Sequence, residues 1–210
     1  MIVELIGPMA VGKTTIAPLV AQRLGIAHYQ GQAFHGLDNA PLTRGELGAD
    51  RFLSVLRNPR LFVNTMRQHT GSPKERFGFA LNICRRDRFA SQAANAASGI
   101  VASGPVHALC QASAWIRQDM TGLAPLITPA DVYVRLKADP AEVTRRLSTR
   151  QEFPREYLAQ HQDWIGRYDA FVDQMLDALD RPVIEVSANE APETVAYQVA
   201  LRLADLSDPA

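Results

Sequence analysis

The chemistry of this chain concentrates in Gly7-Pro8-Met9-Ala10-Val11-Gly12-Lys13-Thr14-Thr15. Gly7, Gly12, Lys13 and Thr14 fall on the fixed positions of the pattern G-x-x-x-x-G-K-[ST]. Glycines let a backbone fold into a concave nest whose N–H groups point inward at an anion. A helix that starts at the end of the nest adds the positive end of its dipole. The lysine of such a loop reaches the outer phosphates of a nucleoside triphosphate, and the hydroxyl after it holds Mg²⁺. Gly7, Ala10, Val11, Gly12, Lys13, Thr14 and Thr15 are therefore the candidate nucleotide-binding residues. Lys13 is also the candidate catalytic cation and Thr14 the candidate metal ligand. An incidental lysine on a glycine-rich turn would leave the Lys-Thr pair without a reason.

The flanking segments suit the loop. Met1-Ile2-Val3-Glu4-Leu5-Ile6 reads as a mostly apolar strand, and Thr14 to Leu24 as a helix closed by Gly25. Pro18 removes one ladder hydrogen bond from that helix, so a kink or a compensating contact is expected there.

With strand, loop and helix in this order, the chain resembles the small P-loop kinases, which include nucleoside, nucleotide, shikimate and gluconate kinases. Many of them carry a further glycine inside the loop, where this chain has Ala10. The resemblance implies an α/β fold of three layers around a parallel five-stranded sheet, with strand order 2-3-1-4-5. It also implies ATP and Mg²⁺, a helical acceptor-binding insertion at 41–98 and a lid at 145–156, all within one domain spanning 1–210.

Composition narrows the setting. Formal net charge is +0, so no global field draws the chain to nucleic acid or to a membrane surface. No stretch is long and apolar enough to span a bilayer. The N-terminus lacks a basic leader segment, and its apolar run is broken by Glu4 and the glycine loop. Cys84 and Cys110 stand in no metal or redox spacing, which fits free thiols and a cytoplasmic location. The expected partner is a small-molecule acceptor, with a homodimer left open.

The remaining candidates lie where strands should end. Ile26 to Tyr29 reads as a short second strand, followed by Gln30-Gly31-Gln32-Ala33-Phe34-His35. Small kinases place an acid in this position, and glutamine cannot act as a base. Gln32 and His35 are candidate substrate residues by hydrogen bonding, although His35 could equally serve only a turn. The segment 41–98 reads as helical, punctuated by Pro59 and Gly71-Ser72-Pro73, with a helix from about Lys74 to Ala97. It is rich in arginine. In its densest cluster, Arg85-Arg86-Asp87-Arg88, Arg85 and Arg88 are candidates to clamp an anionic acceptor, against the plainer reading of a solvated helix face.

Gly99-Ile100-Val101-Ala102-Ser103-Gly104-Pro105 reads as a third strand with its exit turn, with no acid at its end. That turn is similar to the A-T-G of shikimate kinases, and Ser103 is placed to touch the metal's water shell. His107 and Cys110 follow on a helix, where packing is the expected role. Val132 to Leu136 forms a fourth strand, after which Asp139, Pro140 and Glu142 read as N-cap, first helical residue and capping box. That helix carries Arg145, Arg146 and Arg150. The resemblance makes Arg146 and Arg150 lid arginines that neutralise the transferred phosphoryl. Phe153-Pro154 should end the helix, and a long one runs from Tyr157 to about Leu179. A fifth strand, Pro182 to Val186, is left through Ser187, Ala188 and Asn189, which the resemblance to small kinases makes candidates to hold the base of the nucleotide, ahead of a closing helix from Ala191 to Leu206.

These features favour transfer of the γ-phosphoryl of ATP to a small acceptor. A nucleoside or nucleotide is favoured over a sugar or hydroxy acid, from the length of the insertion and the long late helix. Asp38 and Asp87 are the acids to test if the acceptor is an alcohol. A non-catalytic or weakly hydrolytic nucleotide sensor is the alternative, supported by the acids missing after the second and third strands. A GTPase switch has Asp119-Met120-Thr121-Gly122 for D-x-x-G, but no N-K-x-D.

Overall fold

The first strand, β1 (Ile2–Ile6), is buried along its whole length because helices cover both of its faces. Strands buried on two sides read as apolar runs, as this one does apart from Glu4. The computed structural model describes the backbone of residues 1–29, 34–35, 40–41, 44–96, 98–149 and 155–207, and the side chains of 1–29, 49–96, 98–149 and 163–206.

After β1 come α1 (Lys13–Leu24), β2 (His28–Tyr29), and the short pair β3 (Phe34–His35) and β4 (Ala40–Pro41). Three helices follow: α2 (Arg44–Arg57), α3 (Pro59–Gln68) and α4 (Pro73–Asn95). The chain then alternates through β5 (Gly99–Val101), α5 (Pro105–Ile116), a 3-10 turn (Thr121–Leu126), β6 (Val132–Lys137), α6 (Pro140–Ser148), α7 (Arg155–Leu179), β7 (Val183–Ser187) and α8 (Pro192–Ser207). The main sheet is all parallel in the order β2-β5-β1-β6-β7. Counting only its own strands, this is the expected 2-3-1-4-5. The antiparallel pair β3–β4 is an addition that alternation in the sequence did not suggest.

Side-chain alternation divides the core in two. Val3 and Leu5 join Ile16, Val20, Val134, Val186 and Val199 under α1 and α8. Ile2 and Ile6 join Ile83, Leu109, Trp164 and Tyr168 under α4, α5 and α7. Glu4 has the phase of Ile2 and Ile6, so its carboxylate points into this second core.

Local signals behave largely as read. Gly25 closes α1 in the left-handed region at φ 64°, donating its N–H to Ala21 O. Pro18 lies inside α1, which continues through it to Leu24. Its missing N–H deprives the carbonyl of Thr14, an exposed residue that water can reach. Ser72 and Glu75 form a true capping box at the start of α4. The box expected at Asp139 does not form. Glu142 turns to Arg145 and Arg146, at 2.7 Å from each Nε, and Asp139 exchanges hydrogen bonds with Asn189. Two arginines nearby give that carboxylate a stronger partner than a backbone N–H.

Candidate active site

Parallel strands end at one edge of a sheet, and there the loop after β1 meets the starts of α1 and α5. Gly7, Ala10 and Gly12 have φ of 149°, 62° and 109°. This run of left-handed residues bends the backbone into the concave shape that aims N–H groups inward. At Gly7 the constraint is also steric: a Cβ would lie 2.6 Å from Leu136 O. Ala10 accepts the left-handed conformation that a glycine would take more readily. Lys13 is buried, and its Nζ donates to Gly7 O at 2.6 Å and Pro8 O at 2.9 Å. The ammonium thus lies along the inner side of the loop. Thr14 and Thr15 are exposed on the first turn of α1.

A cavity of about 190 Å³ opens in front of this loop. Met9, Ala10, Gly12, Lys13, Thr14 and Thr15 line one side. Arg86, Ser103, His107 and Gln111 line the other. The candidate loop residues are brought together, except Gly7 and Val11, which shape the loop from behind. Ser103 lines the same cavity.

The insertion contributes Arg86. Arg85 and Arg88 lie on another face of α4, where both pair with Asp50 of α2. Arg86 shares the helical phase of Ile83, Ala90 and Ala93, all buried. An arginine on the inward stripe of an amphipathic helix was the available signal. Its guanidinium donates to Ser103 O at 2.5 Å and to Asn82 Oδ1 at 3.2 Å. Burial lowers its pKa to about 10, with Glu4 acting in the opposite direction, so it remains a cation at neutral pH. Asp87 is a structural acid. It accepts from Asn58 Nδ2 and from Thr128 N, tying the start of α3 to the segment before β6.

Glu4 is the acid that the sequence left unassigned. Helix α5 begins after Gly104, which offers no side-chain cap. Glu4 supplies one from the neighbouring strand: its Oε1 accepts the N–H of His107 at 2.9 Å. A cap of this kind is worth about 1 kcal/mol. Gly104 makes room for it, because a Cβ there would come within 2.5 Å of the Glu4 carboxyl carbon. Burial raises the Glu4 pKa to about 7 against the opposing pull of the α5 N–H groups and Arg86.

His107 is buried, as packing would have it, yet it also faces the cavity. Its Nδ1 lies 2.7 Å from Tyr168 Oη, and the same oxygen accepts Gly7 N–H at 3.0 Å. Tyr168 Oη thus joins the loop to the start of α5. Burial, Lys13 and Arg86 push the His107 pKa well below its usual value, so the ring is neutral. Helix α7 is secured for this role by Arg135, which pairs with Asp169, Asp173 and Glu185.

Behind the loop lies a second cavity of about 380 Å³, lined in part by Val11, Thr15, Arg146, Ala188 and Glu190. Arg146 spans it. Its guanidinium donates to Val11 O at 3.2 Å, to Ala188 O at 2.9 Å and to Glu142 Oε1 at 2.7 Å. This joins the loop to the segment after β7. Ala188 alone of the expected trio lines the cavity, while Asn189 is engaged with Asp139 and Ser187 Oγ accepts Asn189 N–H. Gln32, Asp38 and Arg150 lie outside the described residues, as does the side chain of His35. Asp119, the acid of the GTPase-like tetrad, accepts the backbone N–H and hydroxyl of Thr121 in a local exposed turn.

Among the described residues, no cluster of three or more His, Cys, Asp or Glu could hold a metal ion. The donors fit Mg²⁺ held through one hydroxyl, from Thr14, with phosphate oxygens and water as the other ligands. They do not fit an all-protein cage. No helix among the described residues is long and apolar enough to cross a membrane.

No protein-family model matches the chain, and no curated protein matches its sequence. Solved structures do match over nearly the whole chain. Deoxyadenosine kinase from M. mycoides with products dCMP and a flexible dCDP bound is 15% identical, with a TM-score of 0.63 over 98% of this chain and 100% of that one. The same enzyme with bound dATP is 16% identical, with a TM-score of 0.60 over 97% and 100%. The YorR protein from Bacillus subtilis in complex with phosphorylated GDP is 14% identical, with a TM-score of 0.55 over 99% and 97%. The chain has the fold of the P-loop kinases.

Proposed function

We propose that the protein is a phosphotransferase that moves the γ-phosphoryl of ATP to a small-molecule acceptor, with a nucleoside or nucleotide favoured over a sugar or hydroxy acid. The observation that carries this reading is the arrangement of cations on the two sides of one loop. Lys13 lies under a concave loop at the start of α1, Arg86 faces it from α4, and Arg146 reaches the back of the loop from α6. Phosphoryl transfer asks a protein for positioning and charge neutralisation more than for covalent chemistry.

In this reading the loop amides and Lys13 hold the outer phosphates, with Lys13 exchanging the Gly7 and Pro8 carbonyls for phosphate oxygens. Thr14 holds Mg²⁺, which when bound neutralises charge on the β- and γ-phosphates. Arg146 supports the loop and the transferring group, and the cavity it spans accommodates the base beside Ala188. Arg150 is kept as a second lid arginine, and Gln32 and His35 as substrate residues. The acceptor enters on the side of Arg86, His107 and Gln111. Deoxyadenosine kinase, with which the chain shares its fold, supports a nucleoside or nucleotide acceptor.

The test is an ATP-consumption screen across nucleosides, nucleoside monophosphates, sugars and hydroxy acids. ADP release that depends on one acceptor class supports the reading. A flat result across all classes favours the nucleotide-sensor alternative instead.

A further inference from the structure

Arg86, His107 and Lys13 face the front cavity. Arg86 is 4% exposed, and its hydrogen bonds go to neutral acceptors, Ser103 O and Asn82 Oδ1. Among the described residues, no carboxylate lies within ion-pair distance of it. A buried guanidinium without a paired anion is unfavourable unless something else supplies the charge. His107 lines the cavity beside Arg86, with Nδ1 2.7 Å from Tyr168 Oη. Lys13 lies on the loop opposite.

The described residues that line this cavity include no carboxylate. Glu4 lies behind it, with its carboxylate engaged by the N-terminus of α5. The described lining thus places the positive charge of Arg86 and Lys13 on the two sides of the cavity. A phosphomonoester complements that charge. It arrives anionic near neutral pH, its second pKa being about 6. Its attacking oxygen has no proton to lose, and its charge complements Arg86.

We infer that Arg86, beside His107, forms an anion subsite for the acceptor, and that the acceptor presents a phosphomonoester to the transferring phosphoryl. This rests on the phosphotransfer reading and narrows its acceptor class. The donor phosphates belong to the loop amides and Lys13. Arg86 and His107 come from α4 and α5 across the cavity, on the side left for the second substrate. The attacking phosphate oxygen forms the new P–O bond, the γ-phosphorus loses its bond to the β-bridging oxygen, and ADP departs with that electron pair.

The experiment is calorimetric titration of the full chain, loaded with Mg·AMP-PNP, using matched pairs: nucleoside 5′-monophosphates against nucleosides, and hexose phosphates against hexoses. At least one phosphorylated member should bind about 10-fold or more tightly than its partner, the size expected for a charge-assisted contact. Arg86→Gln should remove that advantage and Arg86→Lys should restore part of it. The wild-type comparison stands alone if a variant does not fold. The inference is overturned if no phosphorylated member is preferred, or if Arg86→Gln folds and keeps the preference. Should Mg·AMP-PNP fail to bind while Arg86-dependent binding of a phosphomonoester persists, the phosphotransfer reading falls and the anion subsite stands.

Discussion

Glu4 shows how much one side chain on the sheet can decide. It caps α5, requires a glycine at 104, and sets the field beneath Arg86. Its ordinary pKa of 4.5 rises to about 7 in the folded protein. Between those pH values the folded protein keeps a proton that the unfolded chain releases. The associated stability is complete below 4.5 and is lost as pH rises through 7. At full extent this is roughly 3 kcal/mol. Of the groups facing Glu4, Arg86 stays charged through the window, and Cys110, Tyr133 and Tyr168 titrate above it. His107 is driven toward its neutral form. Urea denaturation across this range should show wild type losing stability relative to Glu4→Gln as pH rises; parallel profiles would contradict the assignment. A second prediction concerns Lys13, which sits at the site. Lys13→Ala should abolish acceptor-dependent ADP release while leaving the circular dichroism spectrum unchanged, and retained turnover would reject the mechanism. The placement of Lys13 and Thr14 at the loop was legible because their spacing is local. Glu4 looked like a mere break in an apolar strand, since its partners lie about a hundred residues away in a helix end that only the fold brings near.

At the scale of elements, the site is a junction of helix starts with supports from behind. Tyr168 on α7 carries much of the coupling, since one hydroxyl serves both Gly7 in the loop and His107 on α5. Tyr168→Phe should destabilise the protein by roughly 1–3 kcal/mol, the range for leaving buried polar groups unsatisfied. It should also lower turnover; a variant matching wild type in both urea midpoint and kcat would show the link to be idle. Arg146 belongs to the same scale, because it connects α6 to the loop and to the segment after β7. Arg146→Ala should reduce kcat by roughly 10²-fold, as for loss of one transition-state donor, with a smaller change in ATP affinity. Equal kcat would remove Arg146 from the catalytic set. Helix starts and ends were readable from Pro, Gly and Ser signals. The choice among Arg85, Arg86 and Arg88 was readable only through helical phase, which places Arg86 inward and leaves the other two to Asp50. The expected capping box at Asp139 failed for a related reason, because Glu142 had arginines within reach that a local pattern does not count.

Over the whole molecule, a parallel sheet gathers the loop after β1, the turn after β5 and the segment after β7 along one edge. This is why residues as distant as Val11, Arg146 and Ala188 meet. Apolar strand runs and the loop pattern made that architecture legible, down to the strand order that the P-loop kinase resemblance implied. Tyr168 carried no such signal, since a tyrosine on a buried helix face reads first as packing. The central claim is that the loop at 7–15 grips a polyphosphate and presents its last phosphoryl to the Arg86 side. The most direct measurement is a crystal structure of the protein with Mg·AMP-PNP. The account predicts the β- and γ-phosphates seated on the loop amides, Lys13 moved from the Gly7 and Pro8 carbonyls to phosphate oxygens, and the terminal phosphate facing Arg86 and His107. A nucleotide bound elsewhere, or a loop that keeps Lys13 on its carbonyls with saturating nucleotide present, would contradict it.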